Sequence, residues 1–152
     1  MPPKKTAVST ARTSDIGYVP FADVIADPQL MQPLWNDLSL PQQVALKAFY
    51  GLPLLGRAEE QAWAILQGSC RVDALGYPIE VTPIPYTPKE YDVFVGILGR
   101  RSGKSSHITA FATLYEVLFG GHMAHVMPGQ DVVVPYIAQD LATAKANMIA
   151  IA

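Results

Sequence analysis

The sequence predicts an α/β chain in which a helical lead-in precedes the first strand–helix units of a doubly wound parallel sheet. Three observations carry that reading. Val93-Phe94-Val95-Gly96-Ile97-Leu98 is a continuous apolar run, the pattern of a strand buried on both faces. Gly99-Arg100-Arg101-Ser102-Gly103-Lys104-Ser105 follows at once, a short loop of glycine and cations. From Ser105 to Phe119, Ile108, Phe111, Ala112, Tyr115, Leu118 and Phe119 share one helical face, and the pattern stops at Gly120-Gly121.

The elements follow in chain order. Residues 1–20 carry Pro2, Pro3, Lys4, Lys5 and several Ser and Thr without an apolar period, and are expected to form a flexible N-terminal arm. Residues 21–77 form the helical lead-in. Between Asp23 and Asp37 the apolar set Val24, Ile25, Leu30, Met31, Leu34 and Trp35 fits short helical pieces broken at Pro28 and Pro33. Ser39 and Pro41 bracket the start of a second helix, Val44, Leu46, Ala48 and Phe49 supply its contacts, and Gly51 stands where a C-terminal cap belongs. A third helix, about Arg57 to Gln67, ends at Gly68. Residues 78–90 hold Pro78, Pro83, Pro85 and Pro88, which forbids a helix and predicts an extended bridge. Residues 91–152 contain the strand–loop–helix already described and a second unit. Its strand is expected over Val132-Val133-Val134 and Tyr136-Ile137-Ala138, and its helix from Leu141 onward. Pro135 inside that strand suits an edge or a bulge.

Composition narrows the function. Half of the 152 residues are apolar and 16% are charged, enough for a packed core and too apolar for wholesale disorder. Eleven Lys and Arg against thirteen Asp and Glu give a formal net charge of −2, which excludes a global positive field drawing the chain onto nucleic acid or anionic membrane. A single cysteine, Cys70, excludes an intrachain disulfide framework and fits a reducing cytoplasm. No run reaches the roughly 18 apolar residues of a membrane span, and no apolar signal core follows the basic start.

The loop carries the chemistry. Gly99 and Gly103 let backbone N–H groups turn toward phosphate oxygens, and a helix beginning near Lys104 adds its positive end. Lys104 suits the β and γ phosphates, and the Ser105 hydroxyl suits Mg²⁺ bridging them. The spacing is a variant of the Walker A pattern, since Leu98 stands where the first glycine is usual and Gly99 comes one place late.

In that setting the chain resembles the large terminase subunits of tailed bacteriophages, the ATPases that drive DNA into capsids. Three blocks carry the resemblance: residues 38–54 (LSLPQQVALKAFYGLPL) with the lead-in, Gly99–Ser105 with the variant Walker A loop, and residues 137–145 (IAQDLATAK) with the second strand and helix of the motor domain. The resemblance implies a P-loop NTPase fold that binds ATP and Mg²⁺. Gly99, Arg100, Arg101, Ser102, Gly103, Lys104 and Ser105 would cradle the triphosphate, with Ser105 on the metal. Arg100 matches the loop arginine that stabilises the γ-phosphate and is the one catalytic candidate. Gln42 or Gln43 would read adenine, and Gln43 is the binding candidate carried forward. Double-stranded DNA, the portal protein, the small terminase subunit and further copies of the chain are the implied partners, in the host cytoplasm and without a membrane.

The departures shape the expectation equally. No strand of four hydrophobic residues ends in Asp-Glu, and Asp140 reads as a helix N-cap rather than a Walker B acid. The carboxylates of the family's nuclease domain have no counterpart either. The chain is therefore expected to be the N-terminal part of such a subunit and inactive by itself. Two alternatives stay open: a non-enzymatic, terminase-like module that acts by protein docking, and a small P-loop kinase. His122 and His125 lack the cysteines and intervening carboxylate of a metal site, His107 and the two tryptophans suit structural roles, and no serine has a visible His and acid arrangement.

Overall fold

The computed structural model describes residues 17–75, 77–96, 104–127, 129–131, 133 and 135, with Val72, Lys104, Ser105, Ser106 and Met123 described as backbone only. Four helices come first: α1 (Phe21–Ala26), α2 (Gln32–Asn36), α3 (Leu40–Phe49) and α4 (Gly56–Leu66). Strands β1 (Cys70–Val72) and β2 (Pro78–Val81) follow. A π-helical turn, Lys104–Thr109, then runs into α5 (Ala110–Phe119), and a 3₁₀ turn spans His122–His125.

Local chemistry accounts for the lead-in. Pro28 lies in the turn between α1 and α2, where the Asp27 carboxylate accepts the Gln29 N–H at 2.8 Å. Pro33 does not break a helix: it sits in the first turn of α2, where its missing N–H has no helical partner to lose. Ser39 caps α3 in a reciprocal box, with its own N–H donating to Gln42 Oε1 at 2.9 Å. Glu59 ties α4 down at its start. One carboxylate oxygen accepts the Leu55 N–H at 2.7 Å, and the other pairs with Lys47 Nζ on α3 at 2.6 Å. Gly68 ends the segment in the left-handed region.

Two expectations about strands are corrected. A hairpin that the sequence reading did not anticipate joins the lead-in to the proline-rich bridge: β1 and β2 pair antiparallel, with Cys70 opposite Val81 and Arg71 opposite Glu80. Pro78 is the first residue of β2, where a missing donor is tolerated, and Asp73 Oδ1 closes the turn by accepting the N–H groups of Leu75 and Tyr77. Conversely, Val93–Gly96 form no strand, and Val93 and Val95 are 73% and 82% exposed. An apolar run supplies side chains for burial, but a parallel strand also needs backbone partners from distant segments, and the described residues provide none. Ile97, Leu98 and nearly all of 132–152, including the second expected unit, lie outside the described residues.

The core is aromatic. The Phe21 ring stacks on Tyr50 with centroids 4.1 Å apart and meets Tyr115 (4.9 Å), Trp35 (5.8 Å) and Phe111 (6.1 Å) edge-on. Thus the π turn lays Ile108, and α5 lays Phe111 and Tyr115, onto the lead-in. Leu118, expected on the same face, is 60% exposed. Burial pushes the hydroxyls of Tyr50 and Tyr115 well above the ordinary phenol range, aided by the Glu116 charge beside Tyr50 and by Tyr18 beside Tyr115. The expected arm ends earlier than residue 20. Val19 N–H donates to the Phe119 carbonyl at 2.9 Å, Tyr115 donates its hydroxyl proton to the Val19 carbonyl at 3.0 Å, and Tyr18 bridges to Gly120.

Candidate functional site

The loop 97–103, with Gly99, Arg100, Arg101, Ser102 and Gly103, lies outside the described residues, whereas its two flanks are described. Lys104 and Ser105 open the π-helical turn that continues into α5. Six residues of π turn followed by ten residues of α5 put a positive dipole end at the loop's exit. π geometry is rare and is found frequently at functional sites.

The other flank is held by α3. Tyr91 N–H donates to the Phe49 carbonyl at 3.0 Å, Tyr50 and Glu90 form an isolated antiparallel bridge, and the Phe49 and Phe94 rings meet edge-on at 5.7 Å. Gly51 makes that approach possible. Its φ is +70°, and a Cβ there would lie 2.6 Å from the Glu90 nitrogen and 2.8 Å from the Lys89 carbonyl carbon. Gly51→Ala is expected to cost about 2–3 kcal/mol through the left-handed backbone and the backbone clash together. Thermal melting checks it. Gly51→Asn tolerates the backbone angle but carries the same Cβ, so wild-type stability in that variant would rule out the close approach as the cause.

Between these flanks lies a cavity of about 510 Å³. It is bounded by α3 along its length from Ser39 to Phe49, the end of α4, residues 91–96 and Ile108 of the π turn. It therefore touches the chain just before and just after the loop. Phe49, Trp63, Tyr91 and Phe94 supply aromatic walls, Ser39, Gln42 and Gln67 supply neutral polar groups, and among the described residues no charged side chain lines it. Such a volume and lining suit a flat, uncharged, hydrogen-bonding heterocycle.

The structure separates the two glutamines that the sequence leaves equivalent. Gln42 lines the cavity. Gln43 does not: its Nε2 donates to the Trp35 carbonyl at 2.9 Å, joining α3 to α2. Gln67 and the rings of Trp63 and Phe94 had not been anticipated as site residues. Their signal was present in the spacing, because Trp63, Leu66 and Gln67 recur at i, i+3 and i+4 on α4 and face one way. Trp63, expected as a core anchor, is half-buried and packs edge-on against Tyr86 at 5.2 Å. His122 binds Glu116 Oε2 at 2.7 Å, and no group of three or more metal-ligating residues exists among the described residues.

No helix among the described residues is long and apolar enough to cross a membrane. Comparison with protein-family models, with curated proteins and with solved structures finds no match to this chain.

Proposed function

We propose that the chain binds a Mg²⁺-nucleoside triphosphate, ATP by its resemblance, with the phosphates on Gly99–Ser105 and the base in the uncharged aromatic cavity. The observation that carries the proposal is that cavity's position against both flanks of the loop, which sets a base site beside a phosphate site. The N–H groups of the loop from Gly99 to Gly103 would face the phosphates, Lys104 the β and γ oxygens, and Ser105 the metal. Arg100 would offset charge developing on the γ-phosphate. Gln42 and Gln67, rather than Gln43, stand where a base edge would come. Bound Mg²⁺-ATP would supply a transferable γ-phosphoryl group, which Arg100, Lys104 and Ser105 would hold in place.

In this reading the chain is the N-terminal portion of a bacteriophage terminase large subunit. The intact subunit would package double-stranded DNA in the host cytoplasm, with the portal protein, the small subunit and further copies of itself. The test is binding of a fluorescent N-methylanthraniloyl ATP. Mg²⁺-dependent binding displaced by unlabelled ATP is expected. Binding indifferent to Mg²⁺ and to ATP competition overturns the proposal. The second reading, a docking module without nucleotide, draws on the exposed Val93, Val95, Val117 and Leu118, and gains if the assay shows no displaceable binding.

A further inference from the structure

We infer that the Lys47–Glu59 ion pair is a positioning device for the base cavity. The inference rests on the nucleotide reading above. The pair joins α3 and α4 at 2.6 Å, and both side chains are only 13% exposed, so it is largely withdrawn from solvent. Most surface pairs at full exposure contribute little, whereas a shielded pair strongly resists the loss of one partner. Its second anchor makes it rigid, because the other Glu59 oxygen accepts the Leu55 N–H at the start of α4. One carboxylate thus fixes both where α4 begins and how it lies against α3.

The cavity lies along the same helix pair. Lys47 lies near the end of α3 and Glu59 near the start of α4, while Ser39 and Gln42 open α3 and Leu66 and Gln67 close the α4 segment. The two helices therefore run antiparallel, with the ion pair near their connection and the cavity running along α3 from Ser39 to Ala48 and Phe49, the two residues after Lys47. Along α4, Glu59, Trp63 and Gln67 follow at i, i+4 and i+8 and form one row. Glu59 holds the first member of that row against α3, and the other two line the cavity. On α3, Lys47 lies two residues before Phe49, whose carbonyl holds Tyr91 and whose ring meets Phe94. Loss of the pair lets α4 roll relative to α3 and moves three walls of the cavity at once. Neither partner of the pair belongs to the loop Gly99–Ser105.

That separation supplies the test. Inorganic tripolyphosphate can occupy only the loop, while ATP uses the loop and the cavity. Both ligands are measured by competition against the fluorescent ATP analogue, for the wild-type chain and for variants. Glu59→Gln is expected to weaken ATP by about tenfold and to leave tripolyphosphate within about twofold. Lys47→Arg, which keeps the charge, is expected to retain ATP binding. Equal weakening of both ligands would mean a merely structural role and overturns the inference, as does wild-type ATP affinity in Glu59→Gln. Should a lone charge between the helices prevent folding, the doubly neutral Lys47→Met/Glu59→Gln variant replaces it, and wild-type ATP affinity there is equally fatal. If the wild-type chain binds neither ligand, the nucleotide reading itself has failed, and the inference falls with it.

Discussion

Lys104→Ala is expected to weaken Mg²⁺-ATP binding by roughly ten- to a hundredfold while leaving the far-ultraviolet circular dichroism unchanged. The magnitude follows from the loss of hydrogen bonds between an ammonium and phosphate oxygens, worth about 1.5–3 kcal/mol. The fold should not register the change. Lys104 is the first residue of the π-helical turn, and alanine is at least as good a helix former as lysine. Tripolyphosphate should weaken in parallel, because the lysine acts on phosphate and not on the base. In an intact packaging subunit the same substitution should abolish ATP turnover. Unchanged affinity for both ligands would remove the phosphates from this loop and leave the cavity without its companion site.

Phe21→Ala is expected to lower stability by about 3–5 kcal/mol, a large part of the roughly 5–15 kcal/mol that holds a domain together. Phe21 is almost fully buried, stacks on Tyr50 and meets Trp35, Phe111 and Tyr115 edge-on. Its removal empties the place where α1, α2, the end of α3 and α5 converge, and such rings relax poorly into a void. Thermal unfolding should therefore fall by roughly ten degrees or more. The effect bears on the site because α5 extends directly from the π turn that opens with Lys104 and Ser105. A loss below about 1 kcal/mol would show that the cluster closes over the gap and that the lead-in and α5 are weakly coupled.

The candidate site was legible unevenly. The phosphate loop was proposed from residue types alone, from glycines, Lys104 and Ser105 between an apolar run and a helical period, and Gly99–Gly103 lie outside the described residues. The base cavity was not. Gln42 and Gln43 are adjacent in a first helical turn, and which one faces the cavity depends on the rotation of α3 against α2 and α4. The Gln43 bond to the Trp35 carbonyl decides that rotation. Gln67 lies 25 residues from Gln42 along the chain (67 − 42), and only the antiparallel return of α4 brings the two to one cavity.

By itself the sequence determined most limits of the lead-in helices, through Ser39 and Gln42 at one cap, Gly68 beyond another end and Pro28 in the turn between α1 and α2, whereas Pro33, expected as a break, opens α2 instead. It also determined where the helix after the loop starts. Each of these is set within a few residues, by hydrogen bonds and backbone angles that hold whatever the rest of the chain does. Tertiary structure alone decided the β1–β2 hairpin, the docking of Tyr18 and Val19 on the end of α5, and the unpaired, exposed state of Val93–Gly96. It also decided the cavity that Gly51 makes room for by letting Glu90 approach α3. Pairing, burial and cavity walls belong to contacts between distant segments, and the pattern along one segment does not carry its partner's identity.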